Sequence, residues 1–202
     1  MSEELTLEKF FNNLDDFFLS DIKSFEENCK SIDEIYNDYR TTSQEGKNIL
    51  IKIPTPPKLT IPITLSLFGV ADILGYLSRN EIDAKETDTT DNLKEIFKGL
   101  DGLKGKNLER FINVYRHGMV HSFFPKYKLE IAYFSKDPDD KLFIKTNDGF
   151  YLNVKCLIKY LKQKLDEIKS KSIDNECMKK KYKCLLCNYE LKSEGLIQNL
   201  KF

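Results

Sequence analysis

The most constraining feature of this sequence is the regular spacing of apolar residues over its first forty positions. From Leu7 onward they recur in alternating steps of three and four, at positions 7, 11, 14, 18, 22, 25, 29, 32, 36 and 39. Such steps follow one face of an α-helix. We therefore predict a long amphipathic helical element over residues 5–40, either continuous or broken near Ser20, which serves as scaffold or dimer surface.

Later segments also have helical patterns. The stretch from Thr64 to Leu77 is almost entirely apolar, which predicts a helix at the centre of a bundle. Pro62 and the three prolines before it exclude a helix until about residue 63. Another helix is expected from Lys106 to about Phe124, where Pro125 ends it. Two more helices are predicted over residues 91–98 and 153–169.

Between the predicted helix that ends near Phe124 and the one over 153–169, the spacing of apolar residues changes. Residues 129–134 partly alternate, and the short apolar runs 142–144 and 150–154 are separated by turn-forming residues. This pattern predicts a small antiparallel hairpin or meander inserted at about 127–152. Ile49 to Ile53 could form one more short strand. The fold class expected is mainly α: an antiparallel helical bundle over residues 1–170, followed by a lysine-rich C-terminal tail over 171–202.

The formal net charge of zero hides an uneven distribution. Residues 1–40 hold eleven acids against four bases, whereas residues 155–183 hold ten lysines against four acids. A basic segment can meet phosphates or an acidic partner, but it is more often a solvated helix face. We find no apolar run that approaches a membrane span, the N-terminus lacks a secretory charge pattern, and five scattered cysteines indicate a reducing compartment. A cytoplasmic protein with no membrane contact is expected.

The residues able to do chemistry are concentrated between positions 110 and 121. The chain has two histidines and four arginines, and this stretch contains His117, His121, Arg110 and Arg116. If the stretch is α-helical, the two histidines share a face and Arg110 lies near it. Histidine exchanges a proton near neutral pH, and arginine binds phosphate through a planar fork. Such a set suits transesterification of RNA, which needs no metal.

The segment Arg116-His117-x-x-x-His121, followed by Ser122-Phe123-Phe124-Pro125-Lys126, resembles the active motif of the HEPN superfamily. The apolar segment 67–75 and the phrase 115–121 are similar to a group of uncharacterised bacterial members. The resemblance implies a bundle of four or five helices that dimerises so that two motifs face one cleft. It also implies a metal-independent endoribonuclease in toxin, phage-defence or RNA-processing roles, without a cofactor, and with an antitoxin partner where the member is a toxin.

Carried over by this resemblance, Arg116 and His121 are the catalytic pair and His117 is the polar position beside the arginine. Arg110 with His117 fits a looser version of the motif, so this assignment stays open. The insert at 127–152 is not part of the minimal bundle. Inactive HEPN members exist, and a non-catalytic module that binds a nucleotide, RNA or a partner protein is the alternative function.

Other interpretations compete for the same residues. The two histidines could be structural, or could ligate a metal as an i, i+4 pair, although the Glu of a metalloprotease motif is missing. Asp72, alone in its apolar segment, either hydrogen-bonds to a neighbouring backbone or basic group or orients Arg or His in the site. Cys184 and Cys187 have zinc-knuckle spacing but supply only two ligands, with Cys177 a doubtful third.

Overall fold

The computed structural model describes residues 7–28, 60–79, 88–100, 103–118, 130–132, 141–145 and 150–198. The possible strand at 49–53, the rest of the predicted helix after residue 118 and His121 lie outside these residues. Within them the protein is mainly helical with a small sheet, which confirms the predicted fold class.

Six helices and three strands make up the described part of the chain. The bounds are α1 Leu7–Asp16, α2 Thr60–Ser78, α3 Thr89–Phe97, α4 Lys106–Phe111, β1 Glu130–Ala132, β2 Phe143–Lys145, β3 Phe150–Asn153, α5 Val154–Asp174 and α6 Glu176–Gln198. Two of these helices continue into a π-helical segment: α1 through Phe17–Ile22 and over 23–28, and α4 through Ile112–His117.

The chain divides into two compact units, each assembled from separate segments. Unit 1 takes Met1–Asp16, Gly69–Ile112 and Leu161–Phe202, and unit 2 takes Phe17–Phe68 and Asn113–Tyr160. The predicted boundary at residue 170 falls inside α5. Apolar spacing marks helices and their buried faces, but it carries no information on which helices pack together.

The predicted break near Ser20 corresponds to a π-helical segment, across which the helix continues. Phe18, Ile22 and Phe25 are buried in this part of the chain, in steps of four and three. A π-helical turn shifts the hydrogen bond from four to five residues back, so it changes the register of the face without ending the helix. Spacing alone could not distinguish this from two helices.

Helix α2 begins at Thr60, three residues earlier than predicted, with Pro62 in its first turn. The first N–H groups of a helix have no partner within it, so a proline there removes no hydrogen bond. The side chains of Thr64 and Ser66 donate to the carbonyls of Thr60 and Pro62, which are also inside the helix.

The earlier start of α2 changes what can be said about apolar length. With 19 residues and a window of mean hydropathy 1.6, α2 is long and apolar enough to cross a membrane, contrary to our expectation that no such run exists. Half of that window is buried within the protein, and a core helix passes the same test. The length and composition of α2 are therefore weak evidence for a membrane-spanning helix.

Helix α6 replaces the predicted lysine-rich tail. Its side chains Tyr182, Leu185 and Leu186 are at most 3 % exposed, so the segment belongs to the core of unit 1. These positions, at i, i+3 and i+4, form an apolar stripe on one side of the helix. The prediction was wrong because it weighed the lysines and overlooked the stripe between them.

The sheet of unit 2 has the strand order β1-β3-β2. Strands β2 and β3 form the predicted antiparallel hairpin, with Phe143 opposite Leu152. Strand β1 instead pairs parallel to β3, so the insert is not an all-antiparallel meander. The central strand β3 ends in Leu152 and Asn153, which are both buried. Burial on both sides favours this strand as the middle one.

Asn153 joins the sheet to helix α5. Its backbone N–H donates to the Leu142 carbonyl at 2.8 Å, and its side-chain amide donates to the Lys141 carbonyl at 3.2 Å. Its side-chain oxygen accepts from the Lys155 N–H at 3.1 Å, as a residue at the start of a helix does. One buried amide therefore ends the hairpin and starts the helix.

Candidate functional site

Arg116 and His117 lie in the π-helical segment Ile112–His117 that extends α4 within unit 2. The Arg116 side chain is half-buried, whereas the His117 side chain lies outside what the structure describes. The α-helical angles assumed for Arg110, Arg116 and His117 do not hold across this segment, because a π-helical turn contains more residues. The prediction of one regular α-helix here needs this correction.

A π-helical turn does not by itself mark a site. The other π-helical segment among the described residues, Phe17–Ile22, contains neither arginine nor histidine. In the part of the chain that the structure describes, only the segment Ile112–His117 combines this rare geometry with the two residue types that can bind phosphate and transfer a proton.

Tyr115 fixes the backbone beside Arg116. Its side chain is 1 % exposed, and its ring packs on Phe143 of β2 with centroids 6.1 Å apart and planes at 35°. Burial raises the pKa of the Tyr115 phenol well above its usual value. The β insert, which the family resemblance did not explain, therefore supplies part of the support for the motif helix.

Arg110 belongs to unit 1 and is exposed on α4. No described residue forms an ion pair with it. The nearby charge pairs of unit 1 are instead formed by Lys94, which lies 3.8 Å from Asp91 and 3.7 Å from Glu109. The predicted supporting role of Arg110 stays a prediction, as does the catalytic role of His121.

Asp72 joins α2 to α3 in unit 1. Its Oδ1 accepts from Asn92 Nδ2 at 2.7 Å, and its Oδ2 accepts from Thr89 Oγ1 at 3.1 Å. Among the described residues no arginine or histidine touches this carboxylate. The contacts therefore match the interpretation of Asp72 as a carboxylate bonded to neighbouring groups, although its partners are neutral side chains instead of backbone or basic groups.

Sequence reasoning missed Asn92, the partner of Asp72. Asn92 is 1 % exposed, and its backbone lies directly against Gly75 of α2. The signal was available, because an asparagine directly before Leu93 falls within the buried face of α3 that also includes Ile96 and Phe97. A polar side chain on the buried face of a helix needs a hydrogen-bond partner that is also buried. Asp72, the polar residue in the most apolar helix, was the candidate for that partner.

No group of three His, Cys, Asp or Glu side chains among the described residues could hold a metal ion. Cys177, Cys184 and Cys187 are exposed on α6, and Cys156 of α5 is half-buried. The described part of the chain therefore offers a metal ion at most a pair of ligands.

No protein-family model, curated protein or solved structure matches this chain. The resemblance to HEPN proteins therefore depends on the residues quoted above, above all on 115–126.

Proposed function

We propose that this protein is a HEPN-type, metal-independent endoribonuclease that acts as a cytoplasmic homodimer in a toxin or phage-defence role. The observation that carries the proposal is the presence of Arg116 and His117 in a π-helical segment. Such segments are rare, and they occur frequently at functional sites. Buried Tyr115 supports that segment on one side.

The chemistry proposed is transesterification within the RNA strand. His121 removes the proton of a ribose 2′-hydroxyl, and that oxygen attacks the adjacent phosphorus. The bond between phosphorus and the 5′-oxygen breaks, and this leaving oxygen takes a proton from the imidazolium that His121 has become. The products are a 2′,3′-cyclic phosphate and a free 5′-hydroxyl.

Arg116 contributes charge stabilisation. The phosphate gains negative charge in the transition state, and a guanidinium offers two parallel N–H groups to its oxygens. A half-buried position strengthens this interaction relative to a fully solvated one, because less water screens the charge. His117, next in the chain, would orient the phosphate or the ribose.

The test is RNA cleavage by the purified protein with a chelator present. Arg116→Ala and His121→Ala should each lower kcat by about 10²–10⁴, as expected for loss of a charged transition-state contact or of a general base. Lys106→Ala removes an exposed cation at the start of the same helix and should leave the rate unchanged. Mass analysis of the products should find cyclic phosphate ends.

Two results would contradict this proposal, and a third would reassign the catalytic pair. Cleavage that survives both Arg116→Ala and His121→Ala would show that another site acts or that a contaminant does. RNA binding without turnover, unchanged in His121→Ala, would show a binding module. Loss of activity in Arg110→Ala and His117→Ala, with Arg116→Ala active, would move the catalytic pair to the looser motif.

A further inference from the structure

Helix α6 exposes its cysteines, contrary to the usual behaviour of this residue. Cys177, Cys184 and Cys187 are all exposed, whereas Tyr182, Leu185 and Leu186 bury the other side of the helix. Free cysteine is among the most buried residue types in proteins. Three exposed thiols within eleven residues of one helix therefore call for a reason other than packing.

Two of these thiols are spaced for one metal ion. Cys184 and Cys187 stand three residues apart in a continuous helix, so their Cβ atoms are about 5–6 Å apart. A tetrahedral zinc with bonds of about 2.3 Å holds its sulfurs about 3.8 Å apart, and both side chains can turn inward to reach this distance. Cys177 lies two turns before Cys184, about 10.5 Å along the axis, too far to join them.

The charges on this side of the helix suit a thiolate-bound cation. Lys180 and Lys183 are exposed and lie with Cys184 and Cys187 within an arc of about 100° around the helix. Neither lysine forms an ion pair with a residue that the structure describes. Four thiolates around a divalent ion carry a net charge of −2, which one such lysine from each of two copies would offset.

We infer that Cys184 and Cys187 bind a thiophilic divalent cation such as zinc, and that two copies of the chain share one ion through α6. Each copy supplies two of the four ligands, and within the described residues no third protein ligand stands near them. Binding releases the thiol protons to solvent and involves no oxidation. This site is independent of the proposed ribonuclease chemistry.

The experiment uses the reduced full chain, freed of metal and titrated with Co²⁺ and then with Zn²⁺. We expect a sulfur-to-cobalt charge-transfer absorption that saturates at one ion per two chains and disappears when zinc displaces cobalt. Light scattering should show that added zinc raises the proportion of dimer, or of a larger assembly if the protein is already dimeric.

Three variants localise the ion. Cys184→Ser and Cys187→Ser should each weaken zinc binding by at least about a hundredfold, because each removes two of the four shared ligands. Cys177→Ser, an exposed thiol on the same helix, is the matched control and should bind as the original chain does. Circular dichroism verifies that each variant remains folded.

No cobalt absorption, equal binding by the Cys184→Ser variant, or one ion held by a single chain would each overturn the inference. RNA cleavage is not a readout here, so the outcome cannot be confused with failure of the ribonuclease proposal.

Discussion

Gly75→Ala offers a sharp test of the packing in unit 1. A Cβ atom built on Gly75 would lie 2.0 Å from the backbone oxygen of Asn92 and 2.6 Å from its carbonyl carbon. Carbon and oxygen need about 3.0 Å or more, so α2 and α3 would have to separate by roughly 1 Å. Backbone atoms cannot rotate away as a side chain can, and the strain therefore falls on the contact between the two helices.

The magnitude follows from two opposing effects. Overpacking a core costs about 1–3 kcal/mol, and a clash with backbone belongs at the upper end. Alanine is better than glycine in a helix by about 1 kcal/mol. We expect Gly75→Ala to lower the free energy of unfolding by about 2 kcal/mol.

Gly69→Ala is the matched control in the same helix. A Cβ atom there meets nothing within 4 Å, and the position is exposed. Only the helix propensity changes, so this variant should gain up to about 1 kcal/mol. Urea unfolding followed by circular dichroism should separate the two midpoints by more than about 1 M. A Gly75→Ala protein as stable as the original would refute the close contact between α2 and α3.

Two further predictions concern pH. Asp88 caps α3 by accepting from the Thr90 N–H at 2.7 Å, and this bond lowers the pKa of its carboxyl. Asp88→Ala should cost about 1 kcal/mol at pH 7. This cost should shrink as the pH falls through the lowered pKa, and urea unfolding near pH 7 and near about pH 2.5 measures the difference; the same cost at both would contradict it. Burial raises the pKa of Tyr115, so its contribution to stability is complete below about pH 10 and is lost at higher pH. Tyr115→Phe should flatten the fall in Tm between about pH 9 and 11, and an unchanged slope would count against a buried phenol.

Most helices were predictable because they bury one side of a regular apolar pattern or, as in α2, are apolar almost throughout. The start of α4 at Lys106 and the hairpin of β2 and β3 were found from apolar period and turn residues. The start of α2 was missed because Pro62 was treated as a helix breaker, whereas the first turn tolerates proline. The stripe of α6 was overlooked because its residues stand among lysines.

The candidate site was less predictable, since it depends on contacts between distant segments. Nothing in the local pattern of Ile112–His117 distinguishes a π-helical turn from an α-helical one, because both bury apolar residues at similar spacing. The contact of Tyr115 with Phe143 joins residues 28 positions apart. The pairing of Asp72 with Asn92 similarly needs the tertiary fold.

The segmented make-up of unit 1 has a consequence for how the protein matures during synthesis. Helix α1 packs against α6, and Lys169 forms an ion pair with Asp15 across 154 positions of the chain. At about 5–20 residues per second, a ribosome needs on the order of ten seconds to make the chain between these partners. During this interval helix α6 is not yet made, so the apolar residues Leu7, Phe10 and Phe11 of α1 are not fully covered. The nascent chain therefore exposes a hydrophobic surface that a chaperone could bind.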